Sequence, residues 1–464
     1  MKLYNTLSGK IEEFKPMASP FVTFYSCGPT VYDYTHIGHI RTFIYNDLLK
    51  RVLLHDGYKV NHVMNVTDVG HLSGDDDSGV DKMEKGAKKY KKTVWEVAQF
   101  YTDFFLKTID AVNILRPTTL CKATDHIGEM IDIIIKLQEK KYTYETGEAI
   151  YFDVLKFPTY GKLSHQKMEE KLKGAREEVH IDAEKKHPAD FALWFKRVGR
   201  FANHTMYWPS PWGDGFPGWH IECSAMSMKF LGKTIDIHTG GIDHIPVHHE
   251  NEIAQSECAN GVPFVHYWMH FYFLLVDGKK MSKSLGNFFT IDDLIKKKVD
   301  PLALRYLFLQ SHYRQTMNFT WGSVQAAGEA LKKLKQIVAQ LKNEASDNNN
   351  NDPRADIFEK RFNDAINQDL QTPQAIAIMW EILKSDLVAQ EKLKLLFSFD
   401  EVLGLKLSDI KKLSFPKEIL ILAEKRKQAK ANKDFAASDT IRKQIEEKGY
   451  VIEDSKDGYT IKLQ

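Results

Sequence analysis

Cysteine is scarce in this sequence: Cys27, Cys121, Cys223 and Cys258 are the four in 464 residues, and they lie far apart. Cysteines so dispersed exclude the framework of bridges that staples small secreted domains, and point to reduced thiols or metal ligation. Long apolar runs are lacking too, and the opening Met1-Lys2-Leu3-Tyr4 holds no apolar signal core. The expectation is therefore a cytoplasmic protein with no membrane partner. Nor is there an excess of charge of one sign. With 64 Lys and Arg against 62 Asp and Glu the formal net charge is +2, so any nucleic acid has to be held by local basic surface and shape. What is present, 43% hydrophobic and 27% charged residues with aromatics throughout, excludes a disordered or fibrous chain. The length exceeds what one core usually serves, which predicts a large domain with one or two smaller ones.

Residues 20–27 are apolar and β-prone, break at Gly28-Pro29 and give way to a helix-periodic stretch at 39–54. A second β-like run at 58–66, after Asp56-Gly57, completes a strand-helix-strand unit of the kind that builds parallel nucleotide-binding sheets. Sheet-like runs return at 235–239 and 271–276, beyond a long stretch with turn signals and Lys/Glu-rich patches. The expected fold is thus α/β: a Rossmann-like parallel-sheet domain split by an insertion, then an all-α C-terminal region. The boundaries read are 1–117 and 219–320 for the two halves, 118–218 for the insertion, 321–410 for a helical bundle and 411–464 for a basic tail. Helices are predicted at 321–341, 356–368, 373–388, 417–430 and 435–448, the last with Gly449 as its C-cap, and a loop at 343–353.

The densest constellation is Cys27-Gly28-Pro29-Thr30-Val31-Tyr32-Asp33-Tyr34-Thr35-His36-Ile37-Gly38-His39, where a strand turns into a helix. Histidines at i and i+3 near a helix N-terminus can contact the phosphates of a nucleotide that the helix end also favours, and Gly38 would let it approach the backbone. Taken alone, His36 and His39 also read as ordinary packing or surface histidines. The second stretch is Gly278-Lys279-Lys280-Met281-Ser282-Lys283-Ser284-Leu285-Gly286-Asn287, a loop after an expected strand. His-Ile-Gly-His and Lys-Met-Ser-Lys-Ser, in this order and far apart, resemble the paired signatures of class I aminoacyl-tRNA synthetases. The resemblance implies that His36 and His39 stabilise charge developing during adenylate formation, and that Lys280 and Lys283 contact the phosphates of ATP, a substrate taken with magnesium. Attack of a carboxylate on an α-phosphate needs positioning and cationic donors rather than a nucleophilic side chain.

Cys27, Cys223 within Gly218-Trp219-His220-Ile221-Glu222-Cys223, and His248-His249-Glu250-Asn251-Glu252 suggest a metal. On a helix His248 and Glu252 project from one face as a two-point platform, although buried apolar cysteines and an exposed polar helix fit the spacing equally. These segments resemble those of cysteinyl-tRNA synthetases, which implies one zinc held by Cys27, Cys223, His248 and Glu252. Serine differs from cysteine by one atom, and shape alone rejects such a near-isostere by only ~10²-fold, so a metal that favours a thiolate supplies the discrimination. His249 and Glu250 are expected behind the ligands or in solvent, and Cys121 and Cys258 as structural. By the same resemblance Thr67 and Trp219 line the amino-acid pocket, with packing as their other role. Gly240-Gly241-Ile242-Asp243 resembles the family's adenosine-contacting turn, and reads equally as a plain Asx turn. The stretch from Thr67 to Gly79 departs from the family pattern in being longer and more acidic; a solvated loop is expected there rather than a second metal site.

The helices after Asp300-Pro301 resemble the family's anticodon-binding region, and basic residues from Arg426 to Lys443 flank Phe435 as an RNA-contacting surface would. The implied partners are tRNA(Cys), L-cysteine and ATP, with the chain a monomer. Two other readings share the motifs: a ligase joining cysteine to an amino sugar, which needs no anticodon reader, and a non-catalytic RNA-binding paralogue, which does not need His36, His39, Lys280 and Lys283.

Overall fold

The computed structural model describes residues 1–70, 81–166, 182–345, 352–412, 414–455 and 458–463. Five strands, β1 (Phe21–Ser26), β2 (Lys59–Val66), β3 (Thr119–Lys122), β4 (Ile235–Gly241) and β5 (Val265–Phe271), form one parallel sheet in the order β5-β4-β1-β2-β3. The order reverses between β1 and β4, and the crevice beyond the carboxyl ends of strands at such a reversal is where open α/β sheets take ligands. Helix α1 (Ile37–His55) packs on one face through Ile40, Phe43, Ile44, Leu48 and Val52. On the other face lie α2 (Trp219–Leu231) and α3 (His248–Asn260), with Cys27, Cys223 and Ile253 in a second core.

Helices α2 and α3 are polar yet buried, which is tolerable only where polar atoms find partners. The Gln255 amide donates to the His220 carbonyl at 2.9 Å and to Ser224 Oγ at 3.0 Å, and Ser256 Oγ lies 3.0 Å from Ser224 Oγ. The polar helix around His248 is therefore an internal one.

The expected strand at 271–276 is corrected. Its apolar residues belong to two elements: β5 ends at Phe271, whereas Leu274–Val276 joins a small sheet with Lys279–Lys280 and Met317–Phe319. The sheet also draws β3 from residues just beyond 118, where the insertion was expected to begin. The insertion's own structure is a four-stranded antiparallel sheet of Thr143–Glu145, Ala149–Phe152, Phe191–Lys196 and Gly215–Pro217.

Beyond Thr320, which caps it through the Ser323 N–H at 3.0 Å, runs α4 (Trp321–Glu344). It is followed by α5 (Pro353–Asn367), α6 (Thr372–Lys384) and α7 (Ala389–Leu403). The single helix expected at 373–388 stops at Lys384, and α7 was not foreseen. A last unit packs α8 (Lys417–Ala431) and α9 (Phe435–Glu447) against a hairpin of Tyr450–Ser455 and Gly458–Leu463. Phe435 is exposed there, but Arg426, expected on the RNA-facing surface, is buried and bonded to Asp454 at 2.8 Å.

One buried polar knot ties α1 to the bundle. Asp47 on α1 accepts from Arg51 at 2.7 Å and forms an ion pair with Arg305 at 2.6 Å. Arg305 also donates to the Leu403 carbonyl at 2.6 Å, and Arg51 to the Glu401 carbonyl at 2.8 Å, both near the end of α7.

Candidate active site and metal centre

The chain leaves β1 at Cys27-Gly28, and glycine is required there. A Cβ on Gly28 would sit 1.6 Å from the Asn65 carbonyl oxygen, while the Gly28 N–H donates to Asn65 Oδ1 at 2.8 Å. Cys27 is thereby pinned beside the end of β2. Helix α2 delivers Cys223, and one turn of α3 delivers His248 and Glu252. The donor atoms of these four residues all lie within 4.8 Å of one another, and every one is buried. His248 Nε2 is 3.0 Å from Glu252 Oε1, and Cys27 Sγ is 4.0 Å from the same oxygen.

A ring of imidazoles stands behind them. Glu252 Oε2 faces His238 Nε2 at 2.9 Å, and His248 Nδ1 faces His220 Nδ1 at 2.9 Å. His249 is not in solvent: its Nε2 lies 3.2 Å from Cys27 Sγ, its Nδ1 lies 2.8 Å from His270 Nε2, and His270 Nδ1 lies 2.8 Å from Thr6 Oγ1. Cys27, His238, His249 and Glu252 form a second convergent quartet that shares two members with the first. Glu250 faces the insertion, accepting the backbone N–H groups of Gly161, Leu163 and Ser164 at 2.8, 3.2 and 3.0 Å.

Electrostatics follow from burial and these contacts. Burial pushes the Cys27 thiol up, and the Cys27 hydrogen bond followed by burial pushes Cys223 well up. Burial drives the His248 imidazole down, but its bonds to Cys223 and Glu252 outweigh this and lift it to about 10. For Glu252 burial pushes up, and His238 with His248 overcome it, leaving the carboxyl at about 2. Two sulfurs, one imidazole nitrogen and one carboxylate oxygen, buried and convergent, form a donor set that suits tetrahedral zinc. Metal entry there displaces protons from both sulfurs.

At the other end of the crevice His36 is the N-cap of α1, its Nδ1 accepting the N–H groups of Gly38 at 3.1 Å and His39 at 3.3 Å. That fixes the tautomer with Nε2–H as donor. Burial, His39 and Lys283 hold the His36 imidazole down at about 2, so it serves as a neutral donor rather than a cation. The His36 and His39 rings stack with centroids 3.5 Å apart. A Cβ on Gly38 would lie 2.9 Å from His36 Cε1 and 3.6 Å from Met281 Cε.

Met281 thus brings the Lys280-to-Ser284 loop over the start of α1. The Ile37 N–H donates to the Phe289 carbonyl at 2.9 Å, and Lys283 pairs with Asp33 and lies 4.9 Å from the Phe288 ring. Lys280, also exposed, lies 6.0 Å from the Phe273 ring.

Gly240 and Gly241 close β4, where a Cβ on Gly240 would meet both His244 and His249 at 2.6 Å, and one on Gly241 would meet Asp243 Oδ1 at 2.2 Å. Trp219 lies 4.4 Å from the His248 ring, between centroids, and remains half-buried beside the cluster. Thr67 is buried, donating to Glu222 Oε2 at 2.8 Å and accepting from Asn65 at 3.0 Å. Residues 71–80, the greater part of the acidic departure, lie outside the described residues. Sequence reasoning missed Asp33, His220, His238 and His270; only the unusual histidine content of β4 and β5 hinted at the last two.

The fold is that of class I aminoacyl-tRNA synthetases: a solved Mycobacterium tuberculosis methionyl-tRNA synthetase in complex with methionyl-adenylate superposes with TM-score 0.56 at 15% identity, covering 83% of this chain and 90% of that one. An Agrobacterium radiobacter LeuRS, solved as a ternary complex with tRNA and LeuAMS, gives 0.58 at 11% identity over 86% and 85%. Residues 13–329 match the family described as tRNA synthetases class I (C) catalytic domain. The chain is 42% identical to the cysteine–tRNA ligase of Treponema denticola over 98% of both chains, and 43% identical to cysteine–tRNA ligase 1 of Burkholderia lata over 99% of this chain and 96% of that one. The chain belongs to the cysteine–tRNA ligase family, and the enzyme charges tRNA with cysteine. Among the described residues no helix is long and apolar enough to cross a membrane.

Proposed function

We propose that the enzyme works in two steps at this crevice: L-cysteine and magnesium-bound ATP give cysteinyl-adenylate and pyrophosphate, and the cysteinyl group then passes to the 3′ end of tRNA(Cys). The observation that carries this reading is the convergence of Cys27, Cys223, His248 and Glu252 within 4.8 Å, where the chain leaves β1 on its way to the helix that His36 caps. A zinc ion bound by those four would take the substrate's sulfur as a thiolate, which a serine hydroxyl cannot match at neutral pH.

The remaining roles belong to the chain itself. In the first step a carboxylate oxygen of cysteine forms a bond to the α-phosphorus as the bond to the bridging oxygen breaks, and pyrophosphate leaves with that electron pair. His36 donates through Nε2–H, His39 stacks beside it, and Lys280 and Lys283 neutralise the phosphates. Lys283 exchanges Asp33 for phosphate when ATP arrives. Gly240 and Gly241 admit the adenosine, Asp243 takes its ribose, and Trp219 with Thr67 shapes the amino-acid side. Thr67 acts through Glu222, since its hydroxyl is engaged there. In the second step a terminal ribose hydroxyl attacks the carbonyl and AMP departs. The helices within 321–410 read the anticodon and the tail within 411–464 adds RNA contacts, in a monomer working in the cytoplasm.

Amino-acid-dependent pyrophosphate exchange across the standard amino acids, with a metal assay on the same sample, tests the proposal. Exchange with cysteine alone and about one zinc per chain is the expected result; exchange with a different amino acid would refute it. Cys223→Ser should lose bound zinc and drop cysteine-dependent exchange by more than ~100-fold, with the fold kept by circular dichroism.

A further inference from the structure

We infer that Arg41 is a positioning residue for the proposed chemistry: its guanidinium fork fixes where the loop carrying Lys280 and Lys283 stands relative to His36 and His39. The inference rests on the phosphate-binding role proposed above for the two lysines. Arg41 lies on α1, two residues beyond His39, and is buried at 1% exposure. One arm of its fork, Nη1, donates to the carbonyls of Tyr272 and, at 3.4 Å, Phe273. The other arm, Nη2, donates to the carbonyls of His312 at 3.2 Å and Gln315 at 2.7 Å. None of these four acceptors is a carboxylate, so backbone dipoles rather than a counter-charge receive the buried cation.

The two pairs of carbonyls are the two roots of the small sheet that carries the loop. Leu274–Val276 begins directly after Phe273, and Met317–Phe319 begins two residues after Gln315. The two strands pair in parallel with Leu274 opposite Met317, and Lys279–Lys280 folds back on the first of them with Lys280 opposite Leu275. The roots also bond each other without help: the Tyr272 N–H donates to the Tyr313 carbonyl at 2.9 Å, and the Met317 N–H to the Phe273 carbonyl at 3.1 Å. What Arg41 adds is therefore the tie from this pair to α1, and with it the register between the two signature motifs. Tyr45, one turn further along α1, supports the same tie, its hydroxyl lying 2.7 Å from the Phe308 carbonyl and 2.6 Å from that of Ser311. Burying a cation is costly, and a neutral donor would serve to hold one root. A guanidinium presents its donors in a rigid planar fork, one arm to each root, whereas the single ammonium of a lysine cannot span both.

The test measures cysteine-dependent pyrophosphate exchange for full-length wild type, Arg41→Lys, Lys283→Ala and the double variant, with zinc content and urea midpoint determined on each. Arg41→Lys keeps the charge and loses the fork; its kcat/KM for ATP is expected to fall ~10²-fold, as for a misplacement of about 1 Å, while zinc content and the KM for cysteine stay within about twofold of wild type. In the Lys283→Ala background the same substitution should cost less than ~10-fold, because a loop that has lost its lysine gains less from being placed; residues that act as a unit are non-additive in this way. Arg41→Gln, which keeps a neutral donor but no fork, should behave as Arg41→Lys does. Equal costs in the two backgrounds overturn the assignment, and so does a wild-type kcat/KM for ATP in either Arg41 variant. Variants that fail to fold, or that lose zinc and raise both KM values together, make Arg41 a residue of the fold and overturn it as well. A wild type without cysteine-dependent exchange overturns the two-step reading itself, and this inference with it.

Discussion

Lys283→Ala should lower cysteine-dependent pyrophosphate exchange by ~10²–10³-fold, about 2.7–4 kcal/mol of transition-state stabilisation, while bound zinc and the unfolding temperature stay as in wild type. The size of the effect follows from placement. Met281, two residues earlier, lies within reach of a Cβ built on Gly38, and Lys283 pairs with Asp33 three residues before His36. The ammonium therefore waits at the catalytic mouth on a partner it can exchange. Its side chain is 48% exposed, so the Asp33 pair contributes little to stability and the lysine is free to move. Lys283→Arg should recover part of the rate, since charge is kept while the donor geometry changes. An alanine variant within threefold of wild type would remove Lys283 from the proposed chemistry.

Asp47→Ala should cost about 3–5 kcal/mol of stability, seen as a lowered urea midpoint. Arg305 and Asp47 are both 0% exposed as side chains, so the substitution strands a guanidinium in a space that water does not reach. Burial already pushes the Arg305 pKa down and Asp47 opposes it. Adding Arg305→Met to Asp47→Ala should regain stability, because a buried ion pair replaced as a unit by apolar side chains is often neutral. Equal midpoints for Asp47→Ala and wild type would show that the carbonyls of Leu403, Val112 and Asn113 satisfy Arg305 without the carboxylate.

Much of the frame was legible in the sequence because β1, α1 and β2 are apolar runs with clear breaks at Gly28-Pro29 and Asp56-Gly57. The fifth sheet strand was misplaced for the opposite reason. Val265–Phe271 carries His266 and His270, and a polar interruption argues against a buried strand unless its partner is known. His270 is accommodated there by His249 and Thr6, residues 21 and 264 positions away, and no local pattern reports such pairings. The bundle was misread where Ser385 ends α6 and α7 restarts at Ala389, since both helices share one periodicity in sequence. At the site, the four donors were named because their segments resemble a family. The residues that orient them, His220 and His238, come from α2 and β4, and only the folded packing sets those elements against α3.

Glu250 gives that packing a further meaning. Within five consecutive positions α3 turns His248 and Glu252 toward the sulfurs and Glu250 toward three backbone amides of the insertion. The insertion is therefore not a detachable appendage: trimming the chain to a smaller catalyst by cutting out residues around 161–164 would leave a carboxylate buried without donors two residues from each of two donors of the cluster. Any miniaturised version of this enzyme has to redesign α3 as well.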